Sequence, residues 1–329
     1  MNADPFKHKN VLITGGLGFT GSNLAIRLVG LGAHVTLVDA MLPDYGGNLF
    51  NIEPIKGRVR VNYSDIRDPN AMNWLVRDMD YVFHLAGQVC HVMSLTDPFP
   101  DIDINIKGTA VVMEAIKNHN PRATVVYTGT RGEYGSVVKL PVSEEAPTNP
   151  KGMYEISNLT AEKIVQVYHD THGIPGVMLR ITNTYGPRGQ MRHSRFGVVN
   201  WFIRLALSGQ PITVFGDGGM IRDFVYIDDC VDAIVAVAQK PEAMGEVFNV
   251  GVDQPTTIGE ICRTIADLTG AELAFVPPTA DRAALEPGHF YSDITKIRTI
   301  VGWEPKTDLR DGLGKTVDYY RKYREHYWS

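Results

Sequence analysis

The chain has 329 residues, 44% apolar and 21% charged, with 32 glycines and 19 prolines. Those proportions are ordinary for a globular protein, leave room for two domains of roughly 100–200 residues each, and exclude a disordered, collagen-like or coiled-coil chain. A formal net charge of −5 excludes a global basic field for nucleic acid or an anionic membrane, so an anionic ligand must be met by local donors.

The first half alternates β-branched runs with helical spacings, the pattern of a parallel sheet covered by helices. Val11–Thr14 reads as a buried strand, and Ser22–Leu31 as a helix stopped by Gly32. Strands follow at Val35–Val38, Arg58–Tyr63 and Tyr81–Leu85, then a helix at Asp101–Asn118, a strand at Thr124–Tyr127, a long helix at Met153–Thr171 and a strand at Gly176–Arg180. The central strands are too apolar to have a wet face. Beyond Arg180 glycine and proline become frequent and the alternation loosens, which indicates a smaller second domain closing over the strand ends of the first. The predicted fold is α/β: a Rossmann-type doubly wound parallel sheet over residues 1–180, with the chain returning to it around 223–252, and a smaller C-terminal α/β substrate domain from 181–222 and 253–329. The last helix, Asp308–Tyr323, is followed by a basic and aromatic tail that reads as a solvated terminus.

Cys90, Cys230 and Cys262 are scattered, odd in number and never in a C-x-x-C pair, which points to a reducing compartment and to neither a disulfide framework nor a metal cluster. No apolar run approaches the ~18–20 residues that cross a bilayer, and the polar start Met1–Asn10 lacks the apolar core of a signal peptide. The chain reads as a soluble cytoplasmic protein with no nucleic-acid or membrane partner.

Between the first strand and first helix lies Thr14-Gly15-Gly16-Leu17-Gly18-Phe19-Thr20-Gly21-Ser22, in which Gly15, Gly18 and Gly21 have G-x-x-G-x-x-G spacing. Glycines there permit a tight turn, close approach to a pyrophosphate and close helix–strand packing, and the helix N-terminus favours the phosphate charge. An ordinary glycine turn is the plain alternative. Asp39 ends the second strand 18 residues after Gly21. It either simply terminates the strand or accepts hydrogen bonds from both hydroxyls of an adenosine ribose, where it would repel a 2′-phosphate. No cation follows in Ala40-Met41-Leu42, so NAD is preferred over NADP.

With further ordered motifs, the chain resembles the extended short-chain dehydrogenase/reductases that act on nucleotide sugars, among them UDP-glucose 4-epimerases and nucleotide-sugar dehydratases. The motifs are Asp65-Ile66, His84-Leu85-Ala86-Gly87, Asn105-Ile106-Lys107-Gly108-Thr109, Thr128-Gly129-Thr130 before Tyr134-Gly135, Arg180–Pro187, Gly216-Asp217-Gly218 and Arg222-Asp223-Phe224. The resemblance implies that NAD is held by Gly15, Gly18, Phe19, Thr20, Gly21, Asp39, Asp65, Ile66, Leu85, Ala86, Gly87, Gln88, Thr128, Tyr154 and Asn158. It implies Tyr154 as the base that takes the proton of a sugar 4-hydroxyl, and Thr130 as the hydroxyl bridging that tyrosine and substrate. Gln88, Thr130, Asn183, Phe215, Arg222, Arg282 and Phe290 are the implied contacts of a nucleotide sugar, Phe215 on the base and Arg222 on a phosphate.

The sequence departs from the family's Tyr-x-x-x-Lys: it reads Tyr154-Glu155-Ile156-Ser157-Asn158. Asn158 can bond a ribose hydroxyl but carries no charge, and ionising an ordinary tyrosine near pH 7 costs roughly 4 kcal/mol. Lys163, nine residues past Tyr154, is too far along the helix to substitute. Arg131 and Gly132 stand where 4,6-dehydratases carry Asp-Glu, and decarboxylating relatives need the glutamate at Gly132. Glu133, one place later, is expected to point to the opposite face. Cys90 and His91 read as structural. By elimination, 4-epimerisation of a UDP-hexose or UDP-hexuronate leads. A dehydratase, an epimerase of another position (Ala86-Gly87-Gln88-Val89 resembles CDP-paratose 2-epimerases) and a non-catalytic NAD-binding sensor remain alternatives. Relatives pair two long helices into a four-helix bundle, which implies a homodimer through Ile104, Val111, Val112 and Ala115 with Leu159, Ile164 and Val167; the same residues could instead cover the sheet.

Overall fold

The structure is a computed structural model that describes residues 5–43, 45–277 and 288–328. Its first part runs β1 (Asn10–Thr14), α1 (Phe19–Gly30), β2 (His34–Val38), β3 (Val59–Asn62), α2 (Pro69–Leu75), β4 (Tyr81–His84), α3 (His91–Ser94), α4 (Thr109–His119), β5 (Thr124–Thr130), α5 (Met153–His172) and β6 (Gly176–Ile181). Asp101–Gly108, wound more widely as π-helix, leads into α4 without a break. The later part is β7 (Asn183–Tyr185), α6 (Val198–Leu207), β8 (Ile212–Phe215), β9 (Ile221–Arg222), β10 (Phe224–Tyr226), α7 (Ile227–Ala238), β11 (Val247–Val250), β12 (Thr256–Thr257), α8 (Ile258–Thr269), β13 (Leu273–Val276), α9 (Thr295–Val301) and α10 (Leu309–Tyr323). Every strand expected in the first half is present.

Seven strands form one sheet in the order β11-β6-β5-β4-β1-β2-β3, and each neighbouring pair is parallel. Successive side chains point to opposite faces, so apolar neighbours along one strand feed two cores. Val11 and Ile13 join Leu24 and Leu28 of α1 and Ile234 and Val237 of α7 on one face. Leu12 joins Leu75 of α2, Val112 of α4 and Val165 of α5 on the other. The α/β expectation of a sheet wet on neither face is thus met. β11 sits beside β6, so the chain returns to the sheet after leaving it at Ile181. The remaining strands form three two-stranded pairs. The sheet order reverses between β1 and β4, the switch point at which ligands of such sheets bind beyond the strand ends.

One expectation is corrected. The terminus is not solvated: Tyr327 is buried, its hydroxyl donates to Asn51 Oδ1 (2.7 Å), and the His326 ring stacks on Phe50 at 3.6 Å. Asn51 in turn donates to the carbonyls of Leu17 (2.9 Å) and Arg188 (3.1 Å), so the tail braces the glycine turn. Aromatic rings among basic residues gain more from this packing than from water. Of the two roles left open for the helix residues, Ile104, Val112 and Ala115 take the one that covers the sheet; the apolar residues that α5 leaves exposed include Ile156 and Val167.

His84, at the end of β4, is fully buried between Thr14 Oγ1 (2.8 Å from Nδ1) and Thr109 Oγ1 (3.0 Å from Nε2). Thr109 donates its own proton to Asn105 O (2.5 Å), and Thr14 Oγ1 accepts from the Leu85 and Ala86 amides (both 3.1 Å). The neutral ring with its proton on Nε2 fits this arrangement, and burial drives the imidazole down to about 4. An unfolded histidine, near 6.5, takes a proton first as the pH falls. The contribution of His84 is therefore full above pH 6.5 and is lost between about pH 6.5 and 4, amounting to about 3 kcal/mol. Urea unfolding of wild type and His84→Gln should show a stability difference that shrinks by about that amount across the interval; a difference independent of pH would refute the neutral bridge.

Candidate active site

The carboxyl ends of the central strands open on a cavity of about 780 Å3. Gly15, at φ +67°, turns the chain so closely over β4 that a Cβ there would sit 2.9 Å from the Ala86 nitrogen, and a Cβ on Gly21 would run into the Gly15 carbonyl. α1 begins immediately afterwards, with Gly18 as its N-cap. The turn thus presents backbone and a helix N-terminus, with no side chain in the way. That matches what a pyrophosphate needs.

Asp39 lies across this end of the cavity. Its Oδ2 accepts from Leu17 N (3.0 Å) and its Oδ1 from Met41 N (2.9 Å); burial raises its carboxyl despite those bonds. Ala40, Leu42, Gly46, Gly47 and Ser64 line the cavity around it, and none supplies a positive charge for a 2′-phosphate. Asp65 is paired with Arg67 at 2.6 Å, and the hydrogen bond from that guanidinium holds its carboxyl below the usual range. The residues present therefore fit NAD.

Of the site residues read from the sequence, Gly15, Gly18, Phe19, Thr20, Gly21, Asp39, Asp65, Ile66, Leu85, Ala86, Gly87, Gln88, Thr128, Thr130, Tyr154, Asn158 and Asn183 line this one cavity. The polar atoms of Gln88 are already engaged: its Nε2 donates to Asp101 (2.9 Å) and Cys90 O (3.0 Å), and its Oε1 accepts from Cys90 N. Asn183 Nδ2 donates to Asp223 O at 3.2 Å. Phe215, Arg222 and Phe290 are not among the lining residues. Phe215 ends β8, and Arg222 is buried with its guanidinium donating to the Ile221 and Gly288 carbonyls. Phe290 packs with Tyr134 and Val142 in a small core, under the Arg131 guanidinium at 4.8 Å. Arg282 lies outside the described residues.

At the deep end, Thr130 caps the turn after β5, its Oγ1 accepting from Gly132 N at 3.1 Å. Tyr154 stands in the first turn of α5. Burial raises its hydroxyl well above the ordinary phenol value, a hydrogen bond with Thr130 opposes this, and the charges of Glu155, Glu133 and Asp101 add to the rise. Asn158 does not replace an ammonium. Its Nδ2 donates to Tyr154 O (2.8 Å) and its Oδ1 accepts from the Tyr127 hydroxyl (3.2 Å). Lys163 is exposed and 3.0 Å from Glu162, as its spacing requires. Glu133 turns away from the cavity, as expected, into a buried cluster. Arg180 bonds both oxygens of Glu162 (2.8 Å each) and reaches Glu133 at 3.2 Å. Burial and the Glu162 charge push Glu133 well up. Burial also opposes ionisation of Glu162, but the guanidinium outweighs it and holds that carboxyl below the usual range.

Several lining residues escape sequence reasoning: Tyr127, Glu155, Asn105 and Arg195. Cys90 is buried, as expected. His91 is not purely structural, because it lines the cavity and its Nδ1 lies 2.6 Å from Glu155 Oε1. Nothing in the spacing marks this pair, which is brought together only when α3 packs against α5. Among the described residues there is no His/Cys/Asp/Glu group able to hold a metal and no helix long and apolar enough to cross a membrane.

Residues 11–251 match the model of the NAD dependent epimerase/dehydratase family. The chain is 34% identical over 317 residues to the UDP-glucose 4-epimerase of Mycolicibacterium smegmatis, covering 94% of this chain and 98% of that protein. It is 31% identical over 329 residues to the dTDP-glucose 4,6-dehydratase of Streptomyces griseus, covering 97% and 96% respectively. The crystal structure of a UDP-glucose 4-epimerase with UDP-glucose from Thermotoga maritima superposes with a TM-score of 0.87 at 32% identity, covering 96% of this chain and 99% of that one. Since the family match spans the whole parallel sheet and its cofactor cleft, the protein belongs to the NAD dependent epimerase/dehydratase family, the extended short-chain dehydrogenase/reductase type, and its cofactor is NAD.

Proposed function

We propose that the protein is a nucleotide-sugar 4-epimerase acting on a UDP-hexose or UDP-hexuronate through a transient 4-keto sugar. The observation that carries this reading is that Tyr154 and Thr130 line together the deep end of the cavity that the glycine turn opens, with Thr130 easing the ionisation that burial of the phenol opposes. When bound, NAD supplies the hydride acceptor and donor. The chain's part is to bind, orient and move one proton. Tyr154 takes the proton of the 4-hydroxyl and returns it, while Thr130 holds the phenol toward the sugar. Asp39 receives the adenosine ribose, and the Gly15–Gly21 turn receives the pyrophosphate. The cations lining the cavity among the described residues are Arg131, Lys151 and Arg195, and they suit the diphosphate of a sugar nucleotide. We assign residues 1–180 and 223–252 to the cofactor side, and 181–222 with 253–329 to the nucleotide-sugar side.

One observation favours a second reading, elimination of water beside the keto carbon. Gly132 has no side chain, but the Glu155 carboxylate fills its place: a Cβ on Gly132 would lie 2.7 Å from Glu155 Cγ. Product analysis separates the two. Epimerisation conserves mass and inverts one coupling pattern in the proton NMR spectrum, whereas dehydration loses water.

Incubation with UDP-, GDP-, CDP- and dTDP-hexoses should give an epimeric product from a UDP-sugar, with transient absorbance at 340 nm. Tyr154→Phe should lower kcat by at least about 100-fold and leave NAD affinity unchanged. Binding without any reduction would instead mark a sensor, and an active Tyr154→Phe would remove the phenol from the mechanism. Asp39→Asn removes a charge while keeping an acceptor for Leu17 N. It should weaken NAD about 10-fold and narrow the preference over NADP in calorimetric titration; equal losses for both would remove Asp39 from ribose recognition. The exposed Ile156 and Val167 on α5 support pairing of two copies through this helix. Sedimentation velocity should show a dimer that Val167→Glu converts to monomer, and a monomeric wild type would refute the pairing.

A further inference from the structure

Tyr154 has a proton to pass on and nowhere local to keep it. Its phenolate is disfavoured by burial and by neighbouring negative charge, and the amide of Asn158, where the family carries its lysine, is spent on Tyr154 O and Tyr127. A group able to hold the proton at neutral pH must be anionic, must line the same cavity and must communicate with solvent.

The cavity contains such a group. Glu155 lies in a niche cut by two glycines. A Cβ on Gly132 would sit 2.7 Å from its Cγ, and one on Gly152 would sit 2.5 Å from its Oε2. That same Gly132 point lies 3.4 Å from Thr130 Oγ1 and 3.5 Å from Glu155 Oε1, so hydroxyl and carboxylate both border the space that a side chain at 132 would take. Glu155 Oε2 is buried with no hydrogen-bond partner among the described residues. Glu155 Oε1 meets His91 Nδ1 at 2.6 Å, and the two side chains differ in exposure, 12% for Glu155 and 42% for His91. The carboxylate is therefore sequestered, and the imidazole reaches water. The charged and titratable groups that face the pair are Tyr154 from α5, Arg131 from the turn after β5 and Asp101 from the head of the π-helical segment, with Lys151 on the cavity wall.

We propose that Glu155 and His91 form a proton outlet for the active site, taking through Thr130 the proton that Tyr154 receives from substrate and exchanging it with solvent at His91. This rests on the oxidation–reduction reading above. In the forward step the substrate O–H bond breaks as a Tyr154 O–H bond forms. The phenol's own proton moves to Thr130 Oγ1, and the threonine proton moves to Glu155, directly or through one solvent molecule. Each O–H bond broken is matched by one formed, and bound NAD would take up the C–H electron pair. The return step reverses every transfer. Glu155 acts through Tyr154 and so is a positioning residue for the proton. The opposite arrangement, a cation that stabilises a stored phenolate, would make Glu155 a hindrance.

The test compares wild type, Glu155→Gln and His91→Ala as NAD-loaded proteins on the UDP-sugar that wild type turns over. Glu155→Gln should lower kcat about 100-fold with KM within about twofold, NAD affinity unchanged and the acid limb of the kcat–pH profile gone. His91→Ala should lose less, and added imidazole should restore it, which a packing defect would not allow. Independently of turnover, nitrogen-15 NMR should show His91 titrating above an ordinary histidine in wild type and falling in Glu155→Gln, because the carboxylate 2.6 Å from its Nδ1 is what raises it. Either of two results overturns the outlet alone: a Glu155→Gln enzyme with wild-type kcat and pH profile, or a His91 titration indifferent to Glu155. A wild type that turns over no nucleotide sugar, or that releases a dehydrated product, overturns the 4-epimerase reading and the outlet with it.

Discussion

The contact on which the site depends is the approach of the Gly15 backbone to Ala86 at the carboxyl ends of β1 and β4. A doubly wound sheet leaves a crevice only where its order reverses, and here the reversal falls between those two strands. The crevice stays open for a cofactor because Gly15, which crosses it, carries no side chain and the Leu17 side chain is turned into the core. It stays in register because Thr14 and His84, on the paired ends of the same strands, are bonded to each other, and His84 in turn to Thr109. The neutral imidazole joins β1, β4 and the start of α4 without bringing a charge under the cofactor. From the far side, Asn51 and the C-terminal aromatic cluster hold the Leu17 carbonyl, so residues more than 300 positions apart in sequence fix one turn.

The first half of the fold was legible because parallel strands buried on both faces are written as continuous β-branched runs, and because helices between them keep their own period. Asp39 was legible for a related reason: once the glycine turn fixes β1 and α1, the end of β2 has only one place to be. The substrate side was read less well. A motif identifies Arg222 as a residue type, but its direction is set by the Gly288 carbonyl it grips, a contact 66 residues away. Phe290 likewise keeps its family position yet turns into the small core with Tyr134. The tail was misread because exposure was inferred from charge, whereas rings among basic residues can bury while their polar neighbours stay wet.

The His91–Glu155 pair was invisible for a sharper reason. Glu155 follows the motif tyrosine directly, and adjacent residues on a helix do not face each other. Its side chain has room beside the cavity because residue 132, in the turn after β5, and residue 152, the N-cap of α5 itself, are both glycines. Sequence reasoning registered Gly132 as a missing acid. In three dimensions the acid is supplied from α5 instead.

The two departures from the family pattern then have one physical account. A lysine four residues after the tyrosine would neutralise a phenolate in place; with Asn158 there, storing that charge costs more than the roughly 4 kcal/mol of an ordinary tyrosine at pH 7, because burial adds to it. A carboxylate beside the phenol would worsen storage but improve transfer, since it is anionic before the reaction and needs only to receive. Changing Asn158 to lysine without removing Glu155 would therefore not simply restore the family's arrangement, for the new ammonium would have Glu155 as a competing partner and the phenol would gain less from it. The charge distribution around Tyr154 has to be understood as a set, with the asparagine, the glycine at 132 and the glutamate at 155 each making sense only in the presence of the other two.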